Sequence, residues 1–226
     1  MRIVIAGGHG KIARLLTRDL TADGHDVIGL IRNPNQADDL RTDGATPVVL
    51  DLEATTPAEL AEVLSGADVA VFAAGAGGGS GDGRKTTVDL GASVLLADAA
   101  QAAGVPRLVQ VSSTGVDLVR AGAEPAEVPD DMLAYLQAKL AAEEDLVRRD
   151  LTWTIVRPGT LTDEAATGLV SLQHTGPGIP EVRGTVPRAD VAAVLAALIL
   201  SGSGALETLY LVSGRTPVDS AVAALA

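Results

Sequence analysis

Short apolar runs rich in β-branched residues recur along the chain, separated by longer stretches in which apolar positions return every three or four residues. The runs RIVIA (2–6), DVIGLI (26–31), TPVVL (46–50), DVAVFAA (68–74), RLVQVSS (107–113) and TWTIVRP (152–158) predict strands. The Ala/Leu-rich stretches between them predict amphipathic helices. Near-continuous apolarity within a strand implies burial on both faces, and strand–helix alternation implies crossovers, so the pattern predicts an α/β, doubly wound parallel sheet. Pro34 and Pro57 stand where helices should open, and Gly24, Gly66 and Gly104 where they should close.

Composition narrows this picture. At 226 residues and 47% hydrophobic, the chain can build one substantial core and is expected to be a single domain. Its 17 basic and 29 acidic residues give a net charge of −12, which opposes binding to nucleic-acid phosphates. It has no cysteine, which removes disulfides and thiolate metal sites, and three scattered histidines lack metal-ligand spacing, so no metal is expected. The apolar run VAAVLAALIL (191–200) is too short to span a bilayer, and the start lacks a signal-peptide layout. A cytoplasmic protein without a membrane partner is the expectation. Aromatic residues make up 2% of the chain, which draws attention to its two tyrosines, Tyr135 and Tyr210.

The stretch IVIAGGHGKIARLL (3–16) runs from a strand through Gly7, Gly8, His9 and Gly10 into a helix beginning near Lys11 and Ile12. Glycines there let a ligand approach the free N–H groups of the helix start, a geometry that cradles phosphate. The small residue Ala13 permits close helix–strand packing, as in Rossmann-type dinucleotide sites. An NAD site places an acid at the end of the second strand, whereas this chain reads IGLIRNP, with Arg32 and Asn33 there. A guanidinium favours a 2′-phosphate, so NADP(H) is preferred over NAD(H), with Lys11 adding positive charge nearby.

A second constellation follows the strand RLVQV. Ser112, Ser113 and Thr114 end it, and YLQAK later sets Tyr135 and Lys139 four apart, on one face of a helix. Tyr135 is suited to exchange a proton with a carbonyl or alcohol, Lys139 to act as its neighbouring cation and hold a ribose, and a strand-end hydroxyl to orient the substrate oxygen.

With these motifs, AGGHGKIA, IRNP, LDLE, FAAGAG, YLQAK and TIVRPGTL, essentially the whole chain resembles the short-chain dehydrogenase/reductase superfamily. The doublet Gly7-Gly8 and the ending in Ala13 match its atypical branch, which includes NmrA-like and flavin/biliverdin reductase-like proteins. The resemblance implies a Rossmann-type core of about 1–157 and a small substrate-side segment of about 158–226. It also implies Asp51 and Leu52 beside the adenine, Ala73, Ala74 and Gly75 along the cofactor, Ser112 near it, and a contact around Arg157 and Pro158. The active-site hydroxyl falls on Thr114 or Ser113.

Two stretches, GAGGGSGDGRK (75–85) and DLVRAGAEPAEVPDD (117–131), predict surface loops after strand ends, either a rim or lid over the ligand edge or plain solvated loops. The segment GLVSLQHTGPGIPEVRGTVPRAD predicts two strands around a turn, with Gln173 and His174 at its tip and His174 solvated, followed by a capped helix from about Pro187. ETLYLVSG (207–214) predicts a last strand, with Tyr210 a packing residue, and the tail a short helix. The function expected is hydride transfer between NADP(H) and a small carbonyl, quinone or flavin-like acceptor. The alternative is a non-catalytic NADP(H)-sensing protein, and a sugar-nucleotide epimerase is disfavoured by Arg32 and the short segment after Pro158. A small-molecule substrate is the expected partner, and either a homodimer or a monomer is compatible with the sequence.

Overall fold

The computed structural model of the chain describes residues 1–75, 85–120, 128, 130–176 and 178–225. Nine strands form one twisted sheet in the order β11-β8-β10-β6-β5-β4-β1-β2-β3. Its parallel part contains β1 (Arg2–Ala6), β2 (Asp26–Ile31), β3 (Thr46–Val49), β4 (Val69–Phe72), β5 (Arg107–Val111), β6 (Thr152–Pro158) and β10 (Glu207–Ser213). The antiparallel strand β8 (Leu169–His174) extends it, and β11 (Thr216–Pro217) closes that edge. The strand order reverses between β1 and β4, the switch point at which doubly wound sheets bind ligands.

Alternation along β1 divides the core. Ile3 and Ile5 face the layer holding α1 (Lys11–Ala22), α7 (Arg188–Ser201) and α8 (Val218–Ala223), while Val4 and Ala6 face α3 (Pro57–Leu64), α4 (Ala92–Ala103) and α6 (Asp130–Leu146). In α1 the buried residues Ala13, Leu16, Thr17 and Leu20 follow helical spacing. The helix α3 begins at Pro57 and is fixed by a capping box between Thr56 and Glu59. Gly104 ends α4 at φ 68°, a conformation glycine adopts without strain. The short helix α2 (Ala37–Thr42) follows the 3₁₀ turn Pro34–Gln36, and α4 is preceded by a wide π-type turn over Lys85–Gly91.

The structure corrects several expectations. Residues 117–120 belong to a short helix, α5 (Val116–Arg120), and α6 already begins at Asp130, so the predicted second loop is partly helical. The rest of that loop, residues 121–127 and 129, and residues 76–84 of the first lie outside the described residues. The two strands expected as a hairpin are β8 and β9 (Thr185–Pro187), and they do not pair with each other. Their hydrogen-bonding partners come from elsewhere: β8 is taken by β10 and β11, and β9 pairs in parallel with β7 (Thr160–Thr162). The strand at 207–214 is therefore not last in the sheet. The helix after Pro187 starts without a side-chain cap.

Candidate functional site

The glycine bend divides its work among three residues. Gly7 has φ 78°, and a Cβ there would lie 2.6 Å from Ala74 Cα, so the bend packs directly on the end of β4. Gly8 donates to the Leu30 carbonyl at 2.9 Å, and its Cβ would lie 2.8 Å from Gly29 Cα. These two glycines serve close backbone packing on the neighbouring strands. Gly8→Ala must therefore push β2 away, and a loss of about 1–3 kcal/mol is expected, read as a lower denaturation midpoint.

Gly10 is the residue at the helix mouth. It is the N-cap of α1, and α1 has no side-chain cap and no acid in its first turn. A Cβ at Gly10 would crowd the carbonyl oxygens of Gly7, at 3.1 Å, and Ala73, at 3.6 Å. An uncapped positive helix end with a cleared approach fits a dinucleotide phosphate. Ala13 is fully buried against the strands, as its spacing predicts. His9 Nε2 lies 2.7 Å from Asp39, and Lys11, at the start of the helix just before Ile12, pairs with Asp163 at 2.5 Å.

At the end of β2, Arg32 Nη1 is 2.9 Å from Glu53 Oε2. No acid directly follows β2 in the sequence, as read, but Glu53 is brought to the corner from the turn after β3. It is the last letter of LDLE, and its contact with Arg32 depends on β2–β3 pairing rather than on any local pattern. Asn33 is engaged as a cap, accepting from the Asn35 N–H at 3.0 Å. Asp51 accepts from the Glu53 N–H, and Leu52 packs on the α3/α4 face of the core.

Across the switch point, the Ala73 N–H donates to the Ala6 carbonyl, Ala74 abuts Gly7, and a Cβ on Gly75 would lie 3.3 Å from Asp89 Oδ1. Asp89 escaped the sequence reading. It is fully buried in the π-type turn, 3.2 Å from Lys139 Nζ. Lys139 also donates to the Val111 carbonyl at 3.1 Å and lies 5.8 Å from the centre of the Tyr135 ring. The Tyr/Lys pair thus shares one face of α6 at the end of β5. Tyr135 is half-buried on a small cluster built from Val116, Val119 and Leu136. Beside this pair, the Ser112 Oγ is buried without a hydrogen-bond partner among the described residues. The Ser113 hydroxyl donates to the Thr114 carbonyl, and the Thr114 N–H donates to the Pro158 carbonyl.

Arg157 is buried and held by carboxylates. Its Nε and Nη2 reach Glu143 at 2.9 and 2.6 Å, and its Nη1 reaches Asp117 at 2.7 Å. The cofactor contact implied for Arg157 therefore has to share the side chain with a buried ion network. Tyr210 is a core packing residue as expected, buried with its ring under the Arg157 guanidinium, and in addition its hydroxyl donates to Asp117. Burial, with that carboxylate next, pushes the Tyr210 phenol up to about 12. These groups line a cleft of about 580 Å³ together with Arg120, Glu144, Thr175, Ile179 and Glu181. Glu181 accepts from the Gly115 N–H, which ties the cleft to the end of the Ser/Thr segment. Gln173 and His174 are exposed, and His174 pairs with Glu207 at 3.0 Å.

The tyrosine assignment has a direct check. In Tyr135→Phe, Tyr210 is the remaining tyrosine, and its absorbance titration is expected near pH 12 rather than 10. Because the folded value lies above the ordinary tyrosine value of about 10, its contribution to stability is complete below pH 10 and fades as pH rises toward 12.

Among the described residues, no cluster of His, Asp and Glu could hold a metal ion, and no helix is long and apolar enough to cross a membrane.

Comparison with known proteins gives a consistent result. The sequence pattern of the NAD(P)H-binding family matches residues 7–201. The uncharacterized sugar epimerase YhfK of Bacillus subtilis is 31% identical over 98% of this chain and 99% of its own length. A Bacillus halodurans structure provisionally named an NAD-dependent epimerase/dehydratase is 34% identical, with full coverage of both chains and a TM-score of 0.88. The oxidoreductase ylbE of Lactococcus lactis is 27% identical over 100% of this chain and 96% of its own, with a TM-score of 0.84. ChuY, an anaerobilin reductase of Escherichia coli O157:H7, is 25% identical over 94% of this chain and 97% of its own, with a TM-score of 0.76.

Proposed function

The chain belongs to the NAD(P)H-binding family, and on that premise we propose that it is an NADP(H)-dependent oxidoreductase acting on a small carbonyl, quinone or flavin-like acceptor. The observation that carries this reading is the Tyr135–Lys139 pair, set at the end of β5 with Lys139 fixed by Asp89 and Val111. The reductase and oxidoreductase names among the structural relatives support it.

The residues that would hold the cofactor are Gly7 and Gly10 with the start of α1, Arg32 at the adenosine end, and Ala73, Ala74 and Gly75 along its length. When bound, nicotinamide supplies or accepts a hydride. The chain supplies the rest. Tyr135 holds the matching proton at the acceptor oxygen, so that a carbonyl leaves as an alcohol. Lys139, kept in place by the buried Asp89, presents a fixed positive charge beside it. Ser113 or Thr114, both partly exposed just past the end of β5, orients the same oxygen by a hydrogen bond.

Arg32 serves as the 2′-phosphate reader, with Glu53 as its counter-ion. The names of YhfK and the Bacillus halodurans protein favour a second reading, sugar epimerisation. The cleft sets four carboxylates, Asp117, Glu143, Glu144 and Glu181, against two arginines, Arg120 and Arg157, and this net negative lining weighs against a substrate carrying a diphosphate.

The experiment is an assay of NADPH and NADH oxidation against a panel of small carbonyls, quinones and free flavin, with wild type and Arg32→Ala in parallel. Turnover on at least one acceptor is expected, with NADPH favoured. Arg32→Ala should reduce that preference by about tenfold, equivalent to about 1.4 kcal/mol. No turnover on any acceptor while NADPH binds would favour the sensing role instead.

A further inference from the structure

Beside the glycine cradle, Asp163 bridges two cations from opposite halves of the chain. One carboxylate oxygen lies 2.5 Å from Lys11 Nζ and the other 2.7 Å from Arg188 Nη1. The small sheet explains the meeting. Strands β7 and β9 pair in parallel from Thr160↔Thr185 to Thr162↔Pro187, so the chain leaves them with Asp163 beside Arg188. Lys11 is the first residue of α1 and Arg188 the first of α7, and neither helix start has a side-chain cap. Each helix start is headed by a cation, α1 with no acid in its first turn and α7 with the buried Asp190 in its own, and the two cations converge on one carboxylate.

The bridge is exchangeable. The side chains of Lys11 and Asp163 are 67% and 59% exposed, and such pairs are weak in water. A phosphate offers more acceptor oxygens and binds guanidinium and ammonium groups strongly. The hydrogen bond from Lys11, with Arg188 adding to it, holds the Asp163 carboxyl below the usual carboxylate range, so it remains an anion at neutral pH.

We propose that Asp163 is an internal anion standing where a cofactor phosphate binds, and that Lys11 and Arg188 form a grip which the pyrophosphate takes over when the dinucleotide enters. This rests on the reading of the glycine bend as the dinucleotide cradle. It assigns Arg188, in the C-terminal segment, to the cofactor site. It also makes Asp163 a competitor that lowers cofactor affinity.

The test is a nicotinamide-fluorescence titration of the full chain with NADPH and NADH, comparing wild type, Asp163→Asn, Arg188→Gln and the double variant. Asp163→Asn is expected to tighten both cofactors about three- to tenfold, and Arg188→Gln to loosen both by a similar factor. An effect confined to NADPH would place the grip at the 2′-phosphate and overturn the pyrophosphate assignment. Unchanged affinities in all variants, with wild type binding normally, would overturn the grip and leave the cofactor reading standing.

Inorganic pyrophosphate supplies a second readout through the melting temperature of the cofactor-free protein. Its stabilising effect should be larger in Asp163→Asn than in wild type and smaller in Arg188→Gln. If wild type binds neither cofactor, the cofactor reading fails, and the pyrophosphate series alone decides whether the grip exists.

Discussion

Tyr135→Phe is expected to lower turnover by about two to four orders of magnitude, the usual scale for losing a positioned general acid. Cofactor affinity should be nearly unchanged, because the phosphate contacts lie at the start of α1, and the ring that anchors residue 135 among Val116, Val119 and Leu136 is retained. The loss should therefore appear in kcat, with the NADPH titration curve preserved. Lys139 cannot be tested so cleanly. It is paired with the fully buried Asp89, and Lys139→Met would leave that carboxylate in the core without its cation. A tyrosine variant that turns over at the wild-type rate would remove Tyr135 from the mechanism and move the reading toward the cofactor-sensing alternative.

The second large effect concerns stability. Arg157→Met is expected to cost about 3 kcal/mol, because it leaves Glu143, whose side chain is 3% exposed, with only the more distant Arg120 at 3.6 Å, and takes one partner from Asp117. The loss should be much smaller in the double variant Arg157→Met/Glu143→Met, which removes both charges from the core and leaves nothing unpaired there. Urea denaturation of the four proteins closes the cycle and gives the coupling between the two residues. Equal destabilisation by the single and double variants would mean that packing, and not charge pairing, makes Arg157 matter. The network also fixes the walls of the cleft, since Asp117 receives both Arg157 and Tyr210. Arg157 variants that remain folded should therefore alter acceptor KM more than cofactor affinity.

The parallel core was legible in the sequence because strands buried on both faces must be nearly continuous apolar runs. RIVIA, DVIGLI and RLVQV could hardly be read otherwise. The helix–strand packing at Ala13 was legible for a similar reason, since the close approach restricts the residue to a small one. Strand partnership was not. Nothing local in LVSLQH or TVP says that one joins β10 in antiparallel register and the other joins β7 in parallel, because those bonds form between backbones far apart in the chain. The polar groups behaved in the same way. Tyr210 packs as read, but its hydroxyl bond was not legible because its partner Asp117 is 93 positions away, and the Arg157–Asp117 pair spans 40. Glu53 was visible in LDLE, but only the pairing of β2 with β3 sets it against Arg32. Asp89 had no signal beyond being an acid in an otherwise apolar helical stretch.

The central claim is that the bend at the end of β1 holds the phosphates of a nicotinamide dinucleotide. It is tested most directly by titrating wild type and Gly10→Val with NADPH and following nicotinamide fluorescence. Gly10 has φ −62° and ψ 149°, a conformation open to any residue, but a Cβ there meets the Gly7 carbonyl at 3.1 Å, so the variant is expected to lose some stability and is titrated well below its own melting temperature. Saturable binding by wild type is expected, with at least about a tenfold loss, or about 1.4 kcal/mol, in Gly10→Val titrated while folded. Undiminished binding by a folded Gly10→Val, or no binding by wild type, would contradict the claim.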